Sequence, residues 1–277
     1  MLVPMSLLAA VYGAVLAGLV LVGVPVLWVV LGAAAILLVQ WLSTELLARR
    51  MTKARFVTAD EEPELHAVLD RLCALSDVPK PRLAISPSPA PNAYTVGRSR
   101  RSATIIVTTG LRARLDPDEL TAVLAHEIAH IRHSDVAVMT VASSFAIALA
   151  AFAKGTGRVA VEAPGLLLEE FPYGLLIGLA VLAGGGLAGL VSFLAHLPLR
   201  WLGRARELAA DRAAADLLGQ PGLLASALLK VHEDEGIPLQ DLRRGVPALG
   251  LVASRTRKGR LMATHPHVHV RVRRLVG

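Results

Sequence analysis

The chain has 277 residues, 54% of them hydrophobic, with a mean hydropathy of +0.54 and a formal charge of +7. This is too apolar for an ordinary soluble protein and implies a membrane protein. Aromatic residues make up only 4% and do not interleave with the scattered basic ones, which argues against a nucleic-acid partner and for a face turned to anionic lipid. Arginine outnumbers lysine 24 to 5 and alanine and leucine abound, which suggests a GC-rich bacterial genome. The one cysteine, Cys73, leaves no role for disulfides and reads as a buried thiol.

Residues 2–42 carry no charged side chain, about twice the roughly 20 residues that a bilayer core requires. Gly23 and Pro25 punctuate the run, so it predicts a hairpin of two membrane helices over 4–22 and 25–42. No basic residue precedes the first span and the second follows directly, which argues against a cleaved signal peptide. After Trp41, the charges of Arg49, Arg50, Lys53 and Arg55 mark entry into a water-soluble segment. Residues 60–76 predict an amphipathic helix with Leu65, Val68, Leu69, Leu72 and Leu75 on one side. Short β-like runs follow at 82–86, 93–96 and 103–108, with Ser99-Arg100-Arg101 as the turn between the last two. Asp116, Pro117 and Glu119 form an N-cap, first-position proline and capping-box pattern that starts a helix over 117–133.

Residues 136–153 and 174–196 are again uncharged and predict a second membrane hairpin, in which Gly184-Gly185-Gly186 favours close helix packing. Of the 29 Lys and Arg residues, 13 lie in 43–135, 14 in 197–277 and only 2 in the loop 154–173. The positive-inside rule then puts four spans in the plasma membrane, with both termini on the cytoplasmic side. Past Arg200 the chain reads as soluble, with helices over 204–218 and about 222–233, a mobile-looking stretch 236–262 and a tail from Thr264. Four segments result: 1–42, 43–135, 136–198 and 199–277.

The sequence Ala125-His126-Glu127-Ile128-Ala129-His130 contains H-E-x-x-H on the 117–133 helix. At about 100° per residue the two imidazoles leave one face, about 40° apart, and reach one metal ion. Glu127 lies in the apolar stripe of Leu120, Val123, Leu124, Ile128 and Ile131, where a carboxylate without a partner is costly. That place suits a general base beside an activated water. A catalytic zinc uses three protein ligands, so one more is required. Glu207 is the best candidate, and Asp211, one turn further on, is placed to accept the free ring N–H of a ligand histidine. Asp135 is a second candidate for that supporting role.

At these residues the chain resembles the HtpX-like membrane zinc metalloproteases, a family that includes the CAAX prenyl proteases. The resemblance takes in Pro91-Asn92-Ala93-Tyr94, Thr108-Thr109-Gly110-Leu111, the H-E-x-x-H helix, Glu207 with Asp211, and Thr264-His265-Pro266. The departures are Val96, and His267-Val268-His269 where relatives carry proline and acidic residues. The resemblance implies a mainly α membrane protein: four transmembrane helices and a cytoplasmic α+β zincin-type protease domain. It also implies one zinc per chain on His126, His130 and Glu207, Glu127 as base, His265 stabilising the oxyanion, and substrate pairing as a strand along Asn92, Ala93 and Tyr94. His133, His267 and His269 read as solvated. The expected activity is cleavage of membrane proteins or peptides in quality control. A substrate-specific processing protease is the alternative within the enzyme class, and a non-proteolytic zinc-bound sensor, which the intact Glu127 argues against, lies outside it. Helical spacing puts His130 about 9 Å from the start of the third span and Glu207 about 16 Å from the end of the fourth, so the site belongs near the inner surface.

Overall fold

The uncharged stretches form the helices that their length predicts. A computed structural model describes residues 2–21, 23–162, 174–233 and 266–277, in two units: Met1–Gln40 with Val141–Leu199, and Trp41–Thr140 with Arg200–Gly277.

The first unit takes its structure from α1 (Leu2–Leu21), most of α2 (Val26–Thr52), α6 (Asp135–Glu162) and the first part of α7 (Gly174–Leu218). Among the described residues, three stretches are long and apolar enough to cross a bilayer, Leu2–Leu21, Asp135–Arg158 and Gly178–Leu218, and Val26–Leu42 is a shorter apolar helix. Trp28, Leu31, Phe152 and Leu187 are exposed, as lipid-facing side chains must be. Inside the unit, the Tyr12 hydroxyl donates to the Ala142 carbonyl at 2.6 Å, and the Ser192 hydroxyl donates to that of Ala146 at 2.9 Å. A Cβ on Gly185 would run into the Thr156 side chain, and one on Gly189 would meet the Ala153 methyl at 3.5 Å. The glycine-rich run thus lets α7 approach α6 closely.

Three boundaries differ from the sequence expectation, the first being α6, which runs to Glu162 past the expected end at 153. The helix expected to end at 42 continues to Thr52, because charge at a membrane exit does not stop a helix and no glycine or proline lies between. The fourth span and the 204–218 helix are one element, α7, which contains Pro198 and ends before Gly219 at φ +66°.

The second unit is built on a four-stranded sheet of order β1-β2-β4-β3, where β1 is Arg55–Phe56, β2 Arg82–Ser86, β3 Ala93–Val96 and β4 Thr104–Thr108. β2 and β4 are parallel, while β1 and β3 run antiparallel to their neighbours at the two edges. The 3-10 turn Arg100–Ser102, capped by Ser99, joins β3 to β4 where the sequence places a turn. α5 (Pro117–Arg132) packs on one sheet face, α3 (Pro63–Ser76) and α8 (Pro221–Glu233) pack on α5, and α9 (Val268–Val276) packs on α8, all around one core that includes Leu69, Leu72, Leu83, Ile105, Ile128 and Leu224. The opposite face carries Ala84, Tyr94, Val96 and Ile106. Cys73 lies in the larger core, and burial pushes its thiol up to about 11. Leu75, expected on that side, is 62% exposed.

β1 and α4 (Thr109–Arg114) were not expected from the sequence. α4 is started by the Thr108 hydroxyl, which accepts from the Leu111 N–H at 3.2 Å. Gly110 is required there because a Cβ would strike the Pro89 carbonyl. α5 opens with both halves of the Asp116/Glu119 capping box. Lys230 on α8 bonds Asp116 and Glu119, each at 2.8 Å, and Ser226 donates to Glu119 at 2.6 Å. These bonds fasten α8 across the start of the helix that carries H-E-x-x-H.

Candidate metal centre

α5 and the later part of α7 hold the chemistry. His126 and His130 leave one face of α5, with their Nε2 atoms 3.0 Å apart. Glu207 on α7 faces both: its Oε1 is 3.5 Å from His130 Nε2 and its Oε2 is 3.8 Å from His126 Nε2. His126 is 1% and Glu207 7% exposed, so this convergence occurs out of water.

The outer nitrogens decide what the inner ones do. His126 Nδ1 lies 3.0 Å from Asp211 Oδ1, and His130 Nδ1 lies 2.6 Å from Asp135 Oδ2. A carboxylate next to each Nδ1 favours the tautomer with its proton on that nitrogen and a lone pair on Nε2. Two lone pairs and a carboxylate facing one another at this range repel unless a cation sits among them. Tetrahedral zinc with Zn–N bonds near 2.05 Å would separate two nitrogens by about 3.3 Å. The observed 3.0 Å is within a small adjustment of that value, so the residues fit a zinc ion.

Glu127 is 2% exposed and does not ligate the cluster. The Thr95 hydroxyl donates to its Oε2 at 2.7 Å and so fixes the orientation of the carboxylate next to His126 in the chain. Behind the ligands lies a second layer of charge. Arg271 on α9, 2% exposed, donates through Nε to Asp211 Oδ2 at 2.7 Å and through Nη2 to Oδ1 at 2.6 Å. Its Nη1 is 3.2 Å from Glu207 Oε2. Burial opposes ionisation of Asp211, but the charge and hydrogen bonds of Arg271 outweigh it and hold the carboxylate below its ordinary range. Burial equally opposes the Arg271 charge, and Asp211 and Glu207 more than restore it. Arg206 pairs with Asp135 and donates to the His133 carbonyl at 3.1 Å, while burial lowers its guanidinium to about 10.

The structure therefore brings together His126, Glu127, His130, Glu207, Asp211 and Asp135. His265 lies outside the described residues. β3 is an edge strand, but Ala93, Tyr94, Thr95 and Val96 are all buried. Asn92 precedes the strand; its N–H donates to the Thr108 hydroxyl at 2.9 Å and its carbonyl accepts from the Thr108 N–H at 3.0 Å, so both groups point to β4. Tyr94 turns into the small core opposite α5, because alternate strand residues face opposite ways and Thr95 takes the side toward Glu127. The expected pairing of substrate along Asn92, Ala93 and Tyr94 concerns the strand backbone, and Ala93 and Tyr94 do lie on the edge strand, with Asn92 just before it.

Three residues escaped the sequence reading. Thr95 carries no signal beyond its alternation with Tyr94. Arg206 reads as one of several arginines on a solvated face. Arg271 was legible: Val268, Val272 and Leu275 form a helical stripe against the core, and Arg271 sits within it as Glu127 sits within its own.

Residues 59–277 match the sequence pattern of peptidase family M48. The chain belongs to this family. Among M48 relatives, Protease HtpX homolog 1 of Streptomyces coelicolor is 42% identical over 253 residues, covering 85% of this chain and 77% of its own. Protease HtpX homolog of Moorella thermoacetica is 41% identical over 256 residues, covering 88% and 80%. Protease HtpX homolog 2 of Methanosarcina mazei is 36% identical over 286 residues, covering 99% and 92%. The crystal structure of S. mikatae Ste24p aligns with a TM-score of 0.59 at 19% identity, over 97% of this chain and 63% of that one, a likeness of fold. The chain thus spans slightly less than two thirds of the Ste24p length. The family and the apolar helices together make this an HtpX-like metalloprotease of the membrane.

Proposed function

We propose that this chain is an integral-membrane zinc endopeptidase that cleaves membrane proteins at the cytoplasmic face, as a quality-control enzyme. The observation that carries the reading is the pair of Nε2 atoms 3.0 Å apart, each ring fixed from behind by a carboxylate, with Glu207 opposite. One zinc per chain fits this donor set, with His126, His130 and Glu207 as ligands. When bound, zinc supplies a Lewis acid for the scissile carbonyl and lowers the pKa of the attacking water. Glu127 accepts the proton of that water and returns it to the leaving amine. Thr95 orients Glu127, and Arg271 balances the negative charge of Glu207 and Asp211. By family resemblance, His265 stabilises the oxyanion. Substrate enters as an extended strand along β3, which requires whatever covers that buried edge to move aside.

The distribution of basic residues supports the cytoplasmic placement, with 27 of 29 outside the loop 154–173. A reporter fused near Val161 should read as extracytoplasmic and one after Gly277 as cytoplasmic; identical readings would remove this topology. The activity itself is tested with detergent-purified protein, zinc, and casein or the chain itself as substrate. Glu127→Gln should keep the zinc held by His126, His130 and Glu207 and lose about 10²- to 10⁴-fold in cleavage rate. Full zinc without any cleavage by the unaltered chain would replace the peptidase reading with a zinc-bound sensor.

A further inference from the structure

α8 and α9 bring three histidines together away from the catalytic cluster. His232 lies in the last turn of α8, His267 is the N-cap of α9, and His269 is that helix's second residue. The ring centroids are 6.1 Å apart for His232 and His267, 6.1 Å for His232 and His269, and 5.8 Å for His267 and His269. One ring nitrogen from each lies within 4.8 Å of the other two. His267 and His269 are exposed and His232 is half-buried, so water and ions reach them.

We propose that His232, His267 and His269 form a second metal site, which takes a zinc-class divalent cation on three imidazoles and pins α9 onto α8. The donor set selects the ion: three neutral nitrogens with no carboxylate suit zinc, copper or nickel and do not suit calcium or magnesium. Zinc on imidazole nitrogens needs donor separations of about 3.3 Å. The donor atoms already lie within 4.8 Å of one another, and the two exposed rings have rotamer freedom to approach further.

The backbone around the site is already firm. Val231 beside His232 and Val268 beside His267 belong to the same core, so the two helices present the donors from fixed positions. A metal joining His232 to His267 closes a stretch of 34 intervening residues, which restricts the unfolded chain and stabilises the docked α9. α9 also carries Arg271, which bonds Asp211 and faces Glu207. The second metal thereby secures the guanidinium that supports the catalytic carboxylates, although metal binding here does not depend on the peptidase reading.

The test uses the full chain in detergent, equilibrated at buffered sub-micromolar free zinc. The unaltered chain should hold two zinc equivalents and the His267→Ala/His269→Ala variant one. Adding zinc beyond the first equivalent should raise the Tm of the unaltered chain and leave that of the variant unchanged. Copper substituted into the second site should show nitrogen hyperfine structure in its EPR spectrum, absent from the variant. Equal zinc content in both proteins, or an equal Tm response, would overturn the site. Both readouts are independent of proteolysis, so a failed activity assay leaves this inference standing and a failed metal count leaves the peptidase reading intact.

Discussion

The apolar unit and the sheet-bearing unit hold their helices together by opposite chemistry. Where α6 meets α7, the contacts are small groups: Gly185 against Thr156, Gly189 against Ala153, and the Ser192 hydroxyl on a backbone carbonyl. In the second unit, where the start of α6 and the helix α9 meet the later part of α7, the contacts are buried charges: Asp135 with Arg206, and Asp211 with Arg271. The difference follows from solvent. In lipid no hydrophobic force separates helix from surroundings, so close backbone approach supplies the attraction. In the second unit an apolar core already supplies cohesion, and charges are buried where they position a metal ligand. A lone buried ion pair is weak evidence of stability, but here each charge also holds a functional side chain in place.

The largest expected break in this comparison is Arg271→Ala. It leaves Asp211 and Glu207 without their shared cation and should cost about 3–5 kcal/mol in unfolding free energy. Zinc should fall with it, whereas an exposed neighbour such as Arg274→Ala should change neither; a stable Arg271→Ala protein with full zinc would show that the network is dispensable. Next is Asp135→Asn, which removes the carboxylate behind His130. Its zinc affinity should drop about 10- to 100-fold, measured by competition with a chelator, and the Tm should fall as well because Arg206 loses its buried partner. The smallest is Gly185→Leu in the apolar unit, which forces a side chain into Thr156 and should cost about 1–3 kcal/mol. Thermal unfolding in detergent should reveal that loss with zinc still bound. Loss of zinc from Gly185→Leu equal to that from Arg271→Ala would erase the distinction between the units.

How much of this was visible in the chain itself varies by element. The 82–86 and 93–96 strands and the capped α5 appear where pattern and capping chemistry put them, because each is dictated by residues a few positions apart. The short β1 and α4 were not visible: two residues make no pattern, and α4 exists through its Thr108 cap and the approach permitted by Gly110. The site divides in the same way. His126 and His130 follow from helical spacing alone, and Glu207 with Asp211 from spacing plus the need for a third ligand. Thr95 and Arg206 are ordinary residues made special by what they face.

The sequence by itself determined that the chain is apolar enough for membrane helices, that α5 presents two imidazoles on one side, and that Glu127 needed a polar partner. Those properties arise from composition and from a period of 3.6 residues, which operate locally. Only the tertiary structure decided which side chains answer them. Thr95 and not Tyr94 reaches Glu127 because a pleated strand alternates its faces. Arg271 meets Asp211 across 60 positions, and His267 and His269 meet His232 across two helices, because packing around one core brings remote segments together. No local pattern encodes those distances; they follow from how α8 and α9 settle against α5 once their apolar stripes are buried.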